Sequence, residues 1–231
     1  QSEAIVVKKT DAVWNKLKEF LAGGEKALSA SSFNNYIDCP LRFYLMHVEE
    51  LSEEEEVEES VEHAIFGSIL HMIMQIIYDR YKGKTVTASA LNEIRKNDAF
   101  LTKMLEEAFA ELYAKQPDRP KPLKGNNYLV GETLRNYIKQ VLKIDAQLAP
   151  FEYIDSEMRF RKQHKVNDNL TVNFKGSIDR IDMINGTTRI IDYKSGTGDL
   201  NFKEMEFLFD SSRDKRPKPI LQVFIYAFFY N

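Results

Sequence analysis

The sequence predicts an α+β domain, with a mostly helical first part, a small sheet and one closing helix. Three observations carry this reading. Apolar residues recur at helical spacing through most of residues 11–149. From Phe151 the period drops to two, through FEYIDSEMRFRKQHKV and NLTVNFKGSIDRIDMI. The last segment, KPILQVFIYAFFYN, is apolar throughout and has at its start a proline suited to the first position of a helix.

Residues 11–22, DAVWNKLKEFLA, read as an amphipathic helix stopped by Gly23 and Gly24. SASSFNNYIDCPLRFYLMHV (29–48) starts on a Ser cap and carries aromatics at helical spacing, with Pro40 expected to interrupt or kink it. EELSEEEEVEES (49–60) packs eight glutamates into twelve residues and reads as an acidic flexible loop. VEHAIFGSILHMIMQIIYDRY (61–81) is apolar nearly all round, so it is expected to be a buried helix. ASALNEIRKN and AFLTKMLEEAFAELYAKQ give two further helices. The Pro-rich stretch 117–126 leads into a long helix over 127–149. Residues 84–149 thus form a helical insertion ahead of the sheet, and TTRIIDYKSG closes an antiparallel meander.

Composition narrows the function. No apolar run reaches the length of roughly eighteen residues that a membrane helix needs, so no membrane association is expected. One cysteine, Cys39, excludes an internal disulfide and fits a reducing, cytoplasmic setting. The first residue is Gln rather than Met, which fits a piece of a longer protein. A net charge of −3 argues, taken alone, against a nucleic-acid partner. The acidic loop hides an asymmetry, however. Without its eight carboxylates the remaining chain is net positive by five charges, with basic stretches at RFRKQHK (159–165) and RDKRPKP (213–219). Either stretch read alone is ordinary solvated surface.

The hairpin GSIDRIDMINGTTRIIDYKSG (176–196) carries the chemistry. Asn185-Gly186 favours a two-residue type I′ turn. Counting outward from it sets Ile181 opposite Ile190 and Asp182 opposite Arg189, a favourable cross-strand ion pair. The same register sets Asp179 opposite Asp192, on the isoleucine face, with Lys194 two residues further along that face. Carboxylates so paired lie about 5 Å apart at Cβ and repel. A solvated edge hairpin would tolerate them. A divalent cation with hard oxygen ligands would neutralise both, and Mg²⁺ or Mn²⁺ suits. Two carboxylates, such a cation and a lysine make a plan for phosphodiester hydrolysis.

GSIDRID followed by IIDYKSG resembles the core of the PD-(D/E)XK nuclease superfamily, most of all its RecB/AddB-type exonuclease domains. Asp179 stands at the first acidic position and Asp192-Tyr193-Lys194 at the (D/E)-x-K element. GSILHMI (67–73) is similar to the upstream G-x-x-x-H helix and QVFIY (222–226) to the downstream Q-x-x-x-Y helix. LSASSFNNYIDCPLRFYL (28–45) resembles the opening segment, and SEMRF (156–160) a preceding strand that often carries a glutamate, here Glu157. Apart from the resemblance, His71 is an ordinary core histidine, Gln222 and Tyr226 the polar edge of a buried helix, and Glu157 a surface strand residue.

The resemblance implies a restriction-endonuclease-like core, with a small mixed sheet flanked by helices, over residues 28–231. Residues 1–27 are a helix or linker from a larger protein, and the family continues past Asn231. It implies a metal-dependent DNA nuclease, an exonuclease of repair and recombination acting on single-stranded ends beside a helicase domain or subunit. Asp179, Asp192, His71 and the Tyr193 carbonyl would hold Mg²⁺ or Mn²⁺, with Glu157 as a further candidate. Lys194 would activate water or stabilise charge, and Gln222 and Tyr226 would position the lysine and the phosphate. Arg159, Arg161, Lys162 and Lys165 are expected to line the DNA path. A [4Fe–4S] cluster needs four thiolates, so Cys39 serves one only if partners lie beyond this chain; otherwise it is a small buried helix residue. The rival reading is a catalytically silent DNA-binding or scaffold module of a helicase–nuclease complex.

Overall fold

The computed structural model describes residues 5–51, 63–196, 201, 203–212 and 216–230. Most of the acidic segment 49–60 and part of the basic stretch 213–219 lie outside these. In chain order the elements are α1 (Asp11–Lys18), α2 (Ala30–Asp38), α3 (Pro40–Phe43), α4 (His63–Asp79), β1 (Thr85–Val86), α5 (Ala88–Lys96), α6 (Asp98–Ala108), α7 (Asn126–Leu148), β2 (Phe151–Asn167), β3 (Leu170–Ile184), β4 (Thr187–Ile191) and α8 (Lys218–Tyr230). The strands form one sheet in the order β1-β2-β3-β4, confirming an α+β fold.

Local chemistry explains the breaks. Ser29 and Ser32 form a reciprocal capping box at the start of α2. Pro40 takes the first position of α3 and leaves Cys39 extended between the two helices. Cys39 is exposed, which corrects the expectation of a buried helix residue. At the hairpin tip Asn185 and Gly186 both have positive φ, 51° and 77°, as a type I′ turn requires. The β3–β4 ladder runs in the counted register, from Ile184 opposite Thr187 to Arg180 opposite Ile191.

The chain divides into two compact units. One comprises Gln1–Glu55, Arg159–Ser177 and Gly198–Asn231. Here the segment before residue 28 is tied to β3: Leu21 bridges antiparallel to Val172, and Leu28 bridges parallel to Phe174. Arg161 Nη2 donates to the carbonyls of Gly24, Glu25 and Lys26, at 3.3, 2.6 and 3.3 Å. Gly176 is needed for space. A Cβ there would lie 2.7 Å from the Phe160 ring and 2.9 Å from the Tyr226 ring.

The other unit comprises Glu56–Met158 and Ile178–Thr197. Its core joins α4, α5, α6 and α7 to the sheet through Ile69, Ile73, Leu91, Leu105, Leu134, Ile138, Phe151 and Tyr153. Two-residue β1, too short to show a period in the sequence, pairs with the start of β2. Residues Ile178 to Asp182 of β3 are all buried, so this stretch is covered on both faces. That burial forces its charged residues to find partners.

Candidate active site

The second unit brings His71, Glu157 and Asp179 together. His71 Nδ1 lies 3.6 Å from Glu157 Oε1 and 3.6 Å from Asp179 Oδ2. The three donor atoms are within 4.8 Å of one another. His71 sits on α4, Glu157 on β2 and Asp179 on β3. Asp179 is buried, while His71 and Glu157 are partly open.

Tyr193 organises this group through its backbone. Its N–H donates to Asp179 Oδ2 at 2.6 Å, and its carbonyl faces His71 Nε2 at 3.0 Å. A carbonyl only accepts, so Nε2 carries a proton, and Nδ1 is the ring atom that faces the two carboxylates. The carbonyl expected as a metal ligand also accepts from the histidine ring.

β4 and its ladder end at Ile191, one residue short of Asp192. The Asp192 carboxylate, almost wholly buried, meets Lys194 Nζ at 2.6 Å, and Lys194 is exposed. Burial pushes the Asp179 carboxyl up to about 6, with the charges of Asp192 and Glu157 adding and those of His71 and the Tyr193 N–H opposing. At Gly67 a Cβ would lie 3.4 Å from the Ser195 hydroxyl.

These donors fit a hard divalent cation. Octahedral bonds of about 2.1 Å put neighbouring donors about 3.0 Å and opposite donors about 4.2 Å apart. Each 3.6 Å separation would shorten by about 0.6 Å to reach the neighbouring-donor spacing. The carboxylates also carry a mutual repulsion that a cation would relieve.

The family model of the PD-(D/E)XK nuclease superfamily matches residues 27–230. The chain belongs to this superfamily. It is 26% identical over 213 residues to one subunit of the ATP-dependent helicase/deoxyribonuclease of Staphylococcus carnosus (strain TM300), covering 83% of this chain and 18% of the relative. The same subunit from Staphylococcus aureus (strain JH9) is 26% identical over 197 residues, covering 79% and 16%. The chain thus spans under a fifth of the length of these relatives. Membership supports a nuclease role. Among the described residues, no helix is long and apolar enough to cross a membrane.

Within this PD-(D/E)XK chain, the remaining candidates lie in the first unit. Gln222 Nε2 donates to the Tyr226 hydroxyl at 2.8 Å, one helical turn along α8. Arg159, Arg161, Lys162 and Lys165 are all exposed on β2. Arg161 is committed to the 24–26 carbonyls, and Lys165 pairs with Asp168 at 2.8 Å across the strand end.

Sequence reasoning missed a buried support behind the site. Arg180 is 1% exposed. It donates to Asp145 Oδ2 and Oδ1, at 2.7 and 3.0 Å, and to the Tyr193 hydroxyl at 2.8 Å. Tyr78 also donates to Asp145, at 2.5 Å. The available signal was an arginine inside the apolar strand GSIDRID, which must have a buried partner. Nothing local in the sequence marks that partner as Asp145.

Proposed function

We propose that this chain is the nuclease module of a helicase-associated repair protein, hydrolysing phosphodiester bonds in DNA, chiefly as an exonuclease on single-stranded ends. The observation that carries it is the convergence of His71 Nδ1, Glu157 Oε1 and Asp179 Oδ2 beside the Asp192–Lys194 pair.

His71, Glu157 and Asp179 would hold Mg²⁺ or Mn²⁺, with Asp192 completing the acidic set. The bound cation would lower the pKa of a coordinated water and polarise a phosphate oxygen. By engaging Nε2, the Tyr193 carbonyl leaves Nδ1 as the His71 atom turned toward the cation. Lys194, steadied on Asp192, offers N–H donors to the attacking water and to charge growing on the phosphate. Gln222 and Tyr226 carry amide and hydroxyl groups suited to a phosphate oxygen. An imidazole ligand favours Mn²⁺ over Mg²⁺ in affinity.

The test is cleavage of end-labelled single- and double-stranded DNA with Mg²⁺ or Mn²⁺. Asp192→Ala and Lys194→Ala are each expected to lower the rate by roughly 10² or more. Full activity in both variants would sink the assignment.

A further inference from the structure

We propose that Ser156, anchored by Asp79, is a positioning residue that aims Glu157 at the candidate cation site; this rests on the reading of that site given above. Glu157 has φ +49° in the middle of β2. A glutamate in the left-handed region is uncommon and costs energy, so neighbouring contacts must hold it there.

The effect on the strand is specific. Successive strand side chains point to opposite faces. Phe151 and Tyr153 are buried, with exposed Glu152 between them, but the next buried residue is Ser156 rather than Asp155. The alternation slips by one, as at a β-bulge. As a result Ser156 and Glu157, though adjacent, both reach α4: Ser156 Oγ donates to Asp79 Oδ1 at 2.8 Å, and Glu157 lies 3.6 Å from His71. Asp79 and His71 are eight residues apart, about 12 Å along the helix. The slip therefore directs Glu157 along α4 toward the histidine.

Polar contacts around Ser156 fix the slip. Tyr153 Oη donates to the same Asp79 Oδ1 at 2.5 Å and lies 2.8 Å from Ser156 Oγ. The Ser156 N–H donates to Asp155 Oδ1 at 3.0 Å, and Lys82 Nζ holds that oxygen at 2.7 Å. Every one of these groups is upstream of Glu157, and none belongs to the donor set at the site.

Mn²⁺ titration of the protein, followed by calorimetry and by the electron paramagnetic resonance of free Mn²⁺, tests this. Asp179→Asn serves as the control for the site. Ser156→Ala is expected to weaken Mn²⁺ binding about tenfold, and Ser156→Thr, which keeps the hydroxyl, to restore it. In a Glu157→Gln background Ser156→Ala should add little, because the group it aims is gone. Should Ser156→Ala unfold, as judged by circular dichroism, the nearly isosteric weak donor in Ser156→Cys carries the same comparison. Unchanged affinity in the Ser156 variant, or an equal loss in both backgrounds, would overturn the positioning role while leaving the site intact. Mn²⁺ binding indifferent to Asp179→Asn would instead overturn the site and this role with it.

Discussion

Arg180 and Asp145 meet as a buried two-point ion pair, Nη1–Oδ2 at 2.7 Å and Nη2–Oδ1 at 3.0 Å. The pair joins α7, in the helical insertion, to the strand that carries Asp179. Arg180 also stacks over the Tyr78 ring, 4.1 Å from its centroid, and donates to the Tyr193 hydroxyl. Tyr193 in turn holds Asp179 and His71 through its backbone. The insertion thereby supports the site without contributing a ligand.

Removing Asp145 takes away the two-point partner of buried Arg180 and leaves it Asp182, at 3.1 Å, which Arg189 already holds. Asp145→Ala is expected to destabilise the protein by about 3–5 kcal/mol. Urea unfolding followed by circular dichroism measures this. Asp145→Leu combined with Arg180→Met should recover much of the loss, because the uncompensated charge is gone. A single variant as stable as wild type would show that water reaches the pair.

Asp179 makes cation binding depend on pH. Its carboxyl is raised to about 6, chiefly by burial, whereas an unfolded aspartate titrates near 3.9. Between those values the folded state holds the extra proton, so without a cation stability falls as pH rises from about 4 to about 6, then levels. A cation needs the deprotonated form. Mn²⁺ affinity should therefore rise with pH through about 6, with proton release on binding. Calorimetry in buffers of different ionisation enthalpy reads that proton directly. Asp179→Asn should remove this component of both dependences.

Gly176 tests the packing of the other unit. A methyl group there meets two aromatic rings at under 3 Å. Gly176→Ala should cost about 1–3 kcal/mol through overpacking and lower Tm. Adding Phe160→Leu should recover part of that loss by opening space beneath the new methyl.

The sequence was most legible where backbone periodicity and turn chemistry act locally. The Asn185-Gly186 turn set the ladder down to Arg180 opposite Ile191, and the hairpin acids followed from it. The end of β4 was not legible, because the sequence pattern does not state where hydrogen bonding stops. Asp192 lies just past that end and meets Lys194. Glu157 was a secondary candidate because its proximity to His71 depends on a left-handed residue in mid-strand, which no glycine announces. Arg180 found Asp145 from 35 residues away, a pairing set by tertiary packing alone.

Arg159 and Arg161 separate binding from folding on a single strand. Both are exposed members of the basic stretch on β2. Arg161 is occupied by three carbonyls of the 24–26 loop, whereas Arg159 has the simpler claim to a DNA phosphate. Arg161→Ala should lower Tm, since those carbonyls lose a charged donor. Arg159→Ala should leave Tm unchanged and weaken single-stranded DNA binding. Its cost should shrink as salt rises, with the slope of log K against log[salt] falling by roughly 0.7 for the lost phosphate contact. Fluorescence anisotropy across a salt series, alongside thermal melts of both variants, resolves the two effects. Equal salt slopes for Arg159→Ala and wild type would remove Arg159 from the DNA path.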